Sequence, residues 1–539
     1  MGTREGLSEF IELYDTTLRD GAQTRGIQYT VDDKLQIIRM LDDFGIDMIE
    51  CGWNGSNSTD TRLFRSLSSL SLNKSRLAAF SSSCCVGKRP ENDGRFLRSV
   101  AVDVPVMTLF SKFWDFQIRH ALNTTVEHNL ELIHRSVEYC RARFDCVILD
   151  AEHFFDGYKA NSQVAESAIR EAVLAGADRI VLCDTNGGTL PGEVSRIVER
   201  LVSVFPDTHF GVHCHNDTDM AVANSIVAVE SGAMHIQGTI NGIGERCGNA
   251  NLCSVIPNLI LKYDRSPRHI PRESLNQLKT VADDVARVAR WRIPPNQAYV
   301  GEDAFTHKAG VHISSVLKYP ECYEHVVPEA VGNARRLPLS EQSGRAAVKH
   351  KVAGMGYTIN DAEAEYLLSS IKEQCGAGLL LDEAEASLDL LIHREMNRRD
   401  TTQPVVDIIH ARVTELPDTQ DGIRYATEVA MSIDGRTVFS RAFGQDLYRL
   451  AQDNCRKLME QAGDMPLTVM PACFLHRYDS LGEKGRALIR IHDAMNGPFI
   501  CAVGESKADT LFRCYLMAFM WAMTASCEGR EMEKYAEIA

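Results

Sequence analysis

The chain has 539 residues, which is too long for one ordinary hydrophobic core and predicts two or three domains. Hydrophobic residues make up 44% and charged residues 24%, values typical of a globular protein and not of a disordered one. The formal net charge is −15 and no long basic run occurs, which argues against nucleic acid as a partner.

The cysteines and the ends of the chain indicate a cytoplasmic protein. The 16 cysteines are spread along the sequence without a C-x-x-C pair, a pattern that favours reduced, buried thiols over a disulfide framework. Residues 1–11 lack the apolar segment of a secretory signal and the arginine-rich composition of a transit peptide. The most apolar window, residues 514–523, is too short to span a bilayer, so no membrane segment is predicted.

From Ile11 to about Glu245, short apolar runs alternate with amphipathic stretches. Eight such runs predict strands: 11–19, 47–52, 76–82, 104–110, 145–152, 179–185, 209–216 and 235–239. Eight βα units of this spacing predict an α/β fold, a closed (β/α)8 TIM barrel that forms a catalytic domain over residues 1–275. The alternative is an open doubly wound sheet, which usually carries a glycine-rich phosphate turn after its first strand; here Arg19-Asp20-Gly21 occupies that place.

The rest of the chain predicts two further parts. Helical linker subdomains are predicted for residues 276–400, and a C-terminal α+β domain for regulation or dimerisation is predicted for residues 401–539. The last domain contains a degenerate repeat of a hairpin followed by a helix, first at 425–442 and 445–461, then at 486–503 and 508–525. The first hairpin has its predicted turn at Asp434-Gly435.

Polar residues occur where the predicted barrel strands end. Because active sites of such barrels lie at the carboxyl ends of the strands, these side chains are expected to converge on one rim. They are Arg19 and Asp20 after the first run, Glu152 after the fifth, Asp184 after the sixth, and His213 and His215 after the seventh.

The two histidines predict a metal site if a carboxylate joins them. Side chains at i and i+2 of a strand leave the same face, so His213 and His215 can bind one ion, although packed histidines would give the same pattern. Asp20 supplies the carboxylate, and Asn249, in the glycine-rich loop NGIGERCGNAN, supplies an amide oxygen. Such a ligand set leaves positions open for a substrate and suits a 2-oxo acid bound through its carboxylate and keto oxygens.

The remaining chemistry requires a cation and a base. Arg19 can donate to the keto oxygen and stabilise the alkoxide that develops there, or it can form a plain rim salt bridge. The second histidine group, FTHKAGVH, offers His312 as the base, with His307 as the second choice. Glu152 is a candidate acid or base, with an ion-paired rim carboxylate as the equal alternative.

Four segments in this order, ELYDTTLRDGAQ, GVHCHND, NGIGERCGNANL and HKAGVH, resemble the acyl-CoA/2-oxo-acid condensing enzymes, which include 2-isopropylmalate, homocitrate and citramalate synthases. The resemblance covers nearly the whole chain, and the segments IECGWNGSN, AEHFFDGYKAN and LCDTNGGTLP favour the citramalate branch. It implies that acetyl-CoA and pyruvate are joined in a Claisen-type reaction on a divalent metal (Zn, Mn or Mg), as a step of isoleucine biosynthesis.

Residue by residue, the resemblance implies metal ligands at Asp20, His213, His215 and Asn249, a keto-acid contact at Arg19 and a catalytic histidine at His312. Glu152 is its least certain transfer, because Asp150 is a rival. The family's C-terminal domain implies a homodimer and an isoleucine effector, although Asp434-Gly435-Arg436 and Asn496-Gly497-Pro498 in the two repeats are only loosely alike.

Three other functions fit parts of the pattern. The same chemistry could act on 2-oxoisovalerate or 2-oxoglutarate, a choice that pocket size decides. A carbon–carbon lyase or aldolase could use the same barrel, although such chains usually end soon after it. A metal-binding or amino-acid-sensing scaffold would tolerate the loss of His312 and release no thiol.

Overall fold

The computed structural model describes residues 10–397, 406–417, 423–433, 436–462, 473–481, 484–491 and 498–527. The chain forms two compact units. The first runs to Phe305 and includes Val326–Ala334, and the second comprises Thr306–His325 and the chain from Arg335 onward. The domain boundaries near residues 275 and 400 stay predictions. Within the described ranges, no helix has the length and apolar character needed to cross a membrane.

The first unit is a closed barrel of eight parallel strands in sequential order, which confirms the predicted TIM barrel. Its strands are β1 (Glu12–Asp15), β2 (Met48–Glu50), β3 (Arg76–Ser82), β4 (Val106–Lys112), β5 (Cys146–Glu152), β6 (Arg179–Asp184), β7 (Phe210–Cys214) and β8 (His235–Gly238). Each of the eight predicted runs overlaps one strand, and six of the eight strands are shorter than the run that predicted them.

The helices of this unit are α1 (Val31–Phe44), α2 (Ser58–Ser66), α3 (Gly94–Ser99), α4 (Asp115–His120), α5 (Val126–Arg141), α6 (Phe154–Ala160), α7 (Ser162–Leu174), α8 (Pro191–Val204), α9 (Ala221–Glu230), α10 (Leu252–Lys262) and α11 (Leu278–Ala289). Local sequence sets their ends. In α1, Thr30 and Asp33 form a reciprocal capping box, and Gly45 ends the helix with a φ of 113°, a conformation that glycine adopts without strain.

A charged cluster closes the amino-terminal end of the barrel. The Glu12 carboxylate accepts hydrogen bonds from Arg179 at 2.5 and 2.9 Å, and His235 Nδ1 lies 2.8 Å from it. Burial would raise the pKa of Glu12, but His235 and Arg179 lower it, so the carboxylate stays ionised. This end of a TIM barrel serves stability, whereas active sites lie at the opposite, carboxyl end of the strands.

The second unit contains α12 (Gly310–Val316), α13 (Arg345–Gly354), α14 (Asp361–Gly376), α15 (Glu385–Asn397), β9 (Val406–Glu415), β10 (Tyr425–Ile433), β11 (Arg436–Gly444), α16 (Leu447–Ala462), β12 (Cys473–Leu481), β13 (Lys484–Ile491), β14 (Phe499–Gly504) and α17 (Lys507–Cys527). Its strands form two antiparallel sheets, in the orders β11-β10-β9 and β12-β13-β14.

The repeat in the last part of the chain has one strand more per unit than predicted. Each unit consists of three antiparallel strands followed by a helix, and the missed strands are β9 and β12. Side chains of β12 are mostly half-exposed or exposed, so the strand lacks the alternation of apolar and polar residues by which a half-buried strand is recognised. The predicted turn at residues 434–435 lies outside the described residues, as do residues 496–497.

Candidate active site

A cavity of about 710 Å³ opens at the carboxyl end of the barrel. Its walls come from the third to the seventh strand and from the segments that follow the first, second, sixth, seventh and eighth strands. Several predicted site residues line it, namely Arg19, Asp20, Glu152, His213 and His215. The expected convergence of these distant positions on one rim is therefore present.

Arg19 and Asp20 lie in a tight turn after β1 and not on the strand, so the predicted first strand of residues 11–19 is too long. The backbone N–H groups of Arg19, Asp20 and Gly21 all donate to the Thr16 carbonyl oxygen, at 3.2, 2.9 and 3.0 Å. The Asp15 carboxylate accepts from the Thr17 N–H at 2.9 Å and its hydroxyl at 2.7 Å. These bonds fold the chain back over the barrel mouth, which presents both charged side chains to the cavity.

The two histidines meet Asp20 at this mouth. His213 is on β7, and His215 lies one residue beyond it, where it pairs with Asn249 in an isolated bridge. Asp20 Oδ2 is 3.1 Å from His213 Nε2 and 3.9 Å from His215 Nε2, and the two Nε2 atoms are 3.4 Å apart. One ligand atom from each residue thus faces a common point, as the i and i+2 spacing predicted.

This cluster fits a divalent metal ion. It offers one carboxylate oxygen and two imidazole nitrogens, a donor set used by catalytic metal sites that keep positions open. Asn249 Oδ1 is buried and finds no hydrogen-bond partner in the described part of the chain, and a cation would satisfy that oxygen. Asn249 as a ligand, like the other residue roles, stays a prediction.

The charges of the cluster are interdependent. Burial would raise the pKa of Asp20, but Arg19 and His213 lower it well below its usual value. Burial lowers the pKa of His215 to about 4, with a contribution from the neighbouring His213. His215 is therefore neutral near pH 7, the protonation state in which an imidazole binds a metal.

Glu50 was missed by the sequence reasoning. It forms an ion pair with Arg19 and accepts a hydrogen bond from the Tyr14 hydroxyl at 2.9 Å. The Arg19 guanidinium also stacks on the Phe80 ring, 3.8 Å from its centre. The signal in the sequence was a lone carboxylate at the end of the buried run that forms β2, on the same rim as the other site residues.

The fifth strand offers two carboxylates. Glu152 forms an ion pair with Lys112, and its side chain is 24% exposed. Asp150 is 4% exposed, and burial raises its pKa to about 7. Both residues line the cavity, so the choice between them as acid or base stays open.

An aromatic wall formed by Trp53, Phe80 and Phe110 borders the cavity beside Arg19. The rings of Phe80 and Phe110 are stacked 5.3 Å apart, and Trp53 meets each of them edge-on at 5.8 Å. Such rigid packing limits the size of a substrate side chain that can lie next to Arg19.

The two histidines predicted as bases belong to the second unit. His307 Nε2 lies 3.2 Å from a carboxylate oxygen of Glu324, which is also paired with Arg335. His312, on α12, is exposed, and its ring lies 4.3 Å from that of Tyr323. These contacts hold His307 in an ion-pair network and leave His312 more accessible, and both catalytic roles stay predictions.

Comparison with known proteins places the chain in a family. The profile of the HMGL-like family matches residues 10–284, and that of the homocitrate synthase post-HMGL domain-like family matches residues 299–378. An (R)-citramalate synthase of Aquifex aeolicus is 43% identical over 78% of this chain and 81% of its own length, and one of Geobacter sulfurreducens is 40% identical over 84% and 85%.

The 2-isopropylmalate synthases are more distant relatives. A 2-isopropylmalate synthase of Staphylococcus saprophyticus is 32% identical over 81% of this chain and 83% of its own length. With its closed barrel and its Asp-His-His rim, the chain belongs to the HMGL-like family, within the group that contains the (R)-citramalate and 2-isopropylmalate synthases.

Proposed function

We propose that this protein is an acyltransferase that condenses acetyl-CoA with pyruvate to give (R)-citramalate and free CoA. The observation that carries the proposal is the joint position of Arg19 and the Asp20, His213 and His215 cluster in one cavity. The relatives named (R)-citramalate synthase, 43% and 40% identical over most of the chain, support the choice of reaction.

A divalent cation held by Asp20, His213, His215 and Asn249 would supply Lewis acidity toward the carboxylate and keto oxygens of a 2-oxo acid. Arg19 then serves as the donor to the keto oxygen. Because Arg19 is fixed by Glu50 and by the Phe80 ring, its N–H groups need little reorganisation as negative charge develops on that oxygen. This preorganisation favours the alkoxide over the ground-state ketone.

The carbon–carbon bond requires a base. His312 removes a proton from the methyl group of acetyl-CoA, and the resulting enolate carbon attacks the keto carbon of pyruvate, whose carbonyl electron pair passes to the oxygen next to Arg19. That oxygen takes up a proton, for which Glu152 and Asp150 are the candidate donors at the rim. Water then attacks the thioester carbonyl, so the carbon–sulfur bond breaks and CoA leaves as the thiol.

The aromatic wall supports pyruvate as the 2-oxo acid. We expect the methyl group of pyruvate to lie beside Phe80 and Phe110, where the stacked rings would exclude the branched side chain of 2-oxoisovalerate. The second candidate is 2-isopropylmalate synthase, which the 32% identical relative of that name favours.

The remaining properties are part of the same proposal. The metal is zinc, manganese or magnesium, the enzyme acts in the cytoplasm in isoleucine biosynthesis, and it forms a homodimer with isoleucine as an effector of the C-terminal domain. The 15 cysteines whose side chains the structure describes are free, which supports a reducing compartment. The duplicated sheet-and-helix units support a regulatory module.

The test is a CoA-thiol release assay with acetyl-CoA and a panel of 2-oxo acids, with and without a chelator. Thiol release that depends on pyruvate and stops with the chelator is expected. A strong preference for 2-oxoisovalerate would establish the second candidate instead, and activity that survives complete metal removal would refute the metal site. Addition of millimolar isoleucine tests the effector.

A further inference from the structure

Gln237 lies inside the barrel between His213 and Asp150 and contacts both. It is on β8, in register with His213 on β7, and its side chain is fully buried. Gln237 Oε1 is 2.9 Å from His213 Nδ1, and Gln237 Nε2 donates to Asp150 Oδ1 at 2.9 Å. Both ends of one amide are therefore used, one toward the histidine and one toward a buried carboxylate.

The metal-binding role of His213 and the contact with Asp150 fix the direction of these hydrogen bonds. His213 faces Asp20 through Nε2, so when Nε2 binds a metal the proton must be on Nδ1. The Gln237 oxygen then accepts a hydrogen bond from His213 Nδ1–H, which leaves the amide nitrogen to face Asp150. Asp150 Oδ1 accepts a hydrogen bond from that nitrogen at 2.9 Å, and this contact holds the amide in the same orientation.

We propose that Gln237 and Asp150 are positioning residues that fix the tautomer and ring orientation of His213 for metal binding. The inference rests on the proposed function, because it assumes the metal site of that proposal. Outer partners of this kind contribute about 10- to 100-fold to metal affinity or activity. Neither residue needs to touch the metal or the substrate to exert this effect.

The geometry requires one amide and one carboxylate in the pair, in either order. A carboxylate at position 237 beside Asp150 would place two negative groups about 2.9 Å apart, the present separation of Nε2 and Oδ1, and their repulsion would disturb the ring. With an amide at position 150 instead, a carboxylate at position 237 could accept from both His213 Nδ1 and the new amide nitrogen. The swapped pair Gln237→Glu/Asp150→Asn should therefore restore what Gln237→Glu alone loses.

The experiment measures metal affinity directly, by competition of Zn²⁺ and, separately, Mn²⁺ against a chromophoric chelator, with the full chain. Gln237→Met, of similar volume, is expected to bind the metal about 10- to 100-fold more weakly, and Gln237→Glu to bind it more weakly as well. The swapped double variant is expected to return to within a few-fold of the wild type. Asn224→Leu is the matched control, since it removes another buried amide, one that donates to the Thr189 carbonyl at 2.8 Å, and should leave metal affinity unchanged.

Wild-type affinity in a folded Gln237→Met chain would overturn the inference alone, and so would a double variant no better than Gln237→Glu. Turnover is measured in parallel with saturating metal. A wild-type chain that binds neither metal would overturn the proposed function and, with it, this inference. The two failures are therefore distinguished by whether the wild-type chain binds metal.

Discussion

Glu50 on β2 forms a buried ion pair with Arg19 from the turn after β1, and the Glu50 side chain is fully buried while that of Arg19 is 14% exposed. Burial raises the pKa of the Glu50 carboxyl, an effect that the adjacent Arg19 opposes. Glu50 also accepts a hydrogen bond from the Tyr14 hydroxyl at 2.9 Å, which fixes the carboxylate. The Arg19 guanidinium is paired with that carboxylate and stacks on the Phe80 ring. The pair therefore fixes a cation at the point where the proposed reaction develops negative charge.

Arg19→Lys is expected to lower kcat about 10²- to 10³-fold, since an ammonium lacks the planar, fixed fork of donors and cannot stack on Phe80 in the same way. Metal affinity should change little, because Arg19 is not a ligand. Steady-state thiol release and chelator competition measure the two quantities. Arg143→Lys is the control, since Arg143 also stacks on a ring, that of Tyr139 at 3.5 Å, but lies outside the residues that line the cavity.

The sequence was sufficient to predict the barrel because its strands and helices differ in hydrophobic period over eight successive units. It also predicted Asp20, His213 and His215 as neighbours, since strand ends of a parallel barrel share one rim. Glu50 and Gln237 could not be assigned in this way. Each lies in a short predicted strand, and its role depends on partners that only the closed barrel brings near.

The tight turn after β1 and the strands β9 and β12 were missed for related reasons. The three N–H groups that converge on the Thr16 carbonyl leave no mark on the hydrophobic pattern, so the predicted end of the first strand, residue 19, lies four residues beyond Asp15. In β12, exposed Phe474 and Leu475 break the alternation of a half-buried strand. Apolar residues on an exposed strand therefore obscure its register in the sequence.

His215→Ala is expected to lose bound metal and to reduce turnover to background while the fold is retained. The imidazole faces the cavity, one residue past β7. Its removal therefore takes away a metal ligand and leaves the packing of the barrel against its helices intact. Metal content after dialysis and circular dichroism measure the two effects. His209→Asn, just before the other end of the same strand, is the control and should keep both metal and activity; equal metal content in the His215 variant would contradict the site.

Phe110→Ala is expected to relax the size limit of the aromatic wall. Removal of one of the two stacked rings opens space beside Phe80, so kcat/KM for 2-oxoisovalerate relative to pyruvate should rise about tenfold or more. The ratio is measured with both acids in one preparation. Phe96→Leu, a buried ring outside the cavity lining, controls for loss of packing, and an unchanged ratio in Phe110→Ala would place the substrate side chain elsewhere.

Asp47, at the amino-terminal end of the barrel, should make stability depend on pH. Burial raises its pKa to about 7 from an ordinary value of 3.8, although the Leu13 N–H donates to it at 2.9 Å. The folded chain thus binds a proton that the unfolded chain releases, so this contribution to stability is complete below about pH 4 and is lost as pH rises through 7. Asp47→Asn has no carboxyl to ionise, so it should be more stable than the wild type at pH 8, by on the order of 4 kcal/mol.

Urea unfolding of both chains at pH 4 and at pH 8 measures this difference. The two midpoints should nearly coincide at pH 4, where the wild-type carboxyl is neutral, and separate at pH 8. Comparison of the two chains is needed because Glu12, whose pKa is lowered, gives the opposite dependence and loses its contribution in acid. A wild-type chain that is as stable as Asp47→Asn at pH 8 would show that the carboxyl ionises without cost.

His312→Asn separates the proposed base from the metal chemistry. Without the imidazole, exchange of the acetyl-CoA methyl protons with D₂O, measured by NMR in the presence of an unreactive 2-oxo acid analogue, should fall about 10²- to 10⁴-fold. Metal affinity should stay at the wild-type value, since His312 is not a predicted ligand. His307→Asn is the matched control: its imidazole contacts Glu324 at 3.2 Å, so its loss should mainly weaken a structural ion pair and reduce exchange far less. The reverse order of effects would assign the base to His307, because the enolisation step responds only to the group that takes the proton.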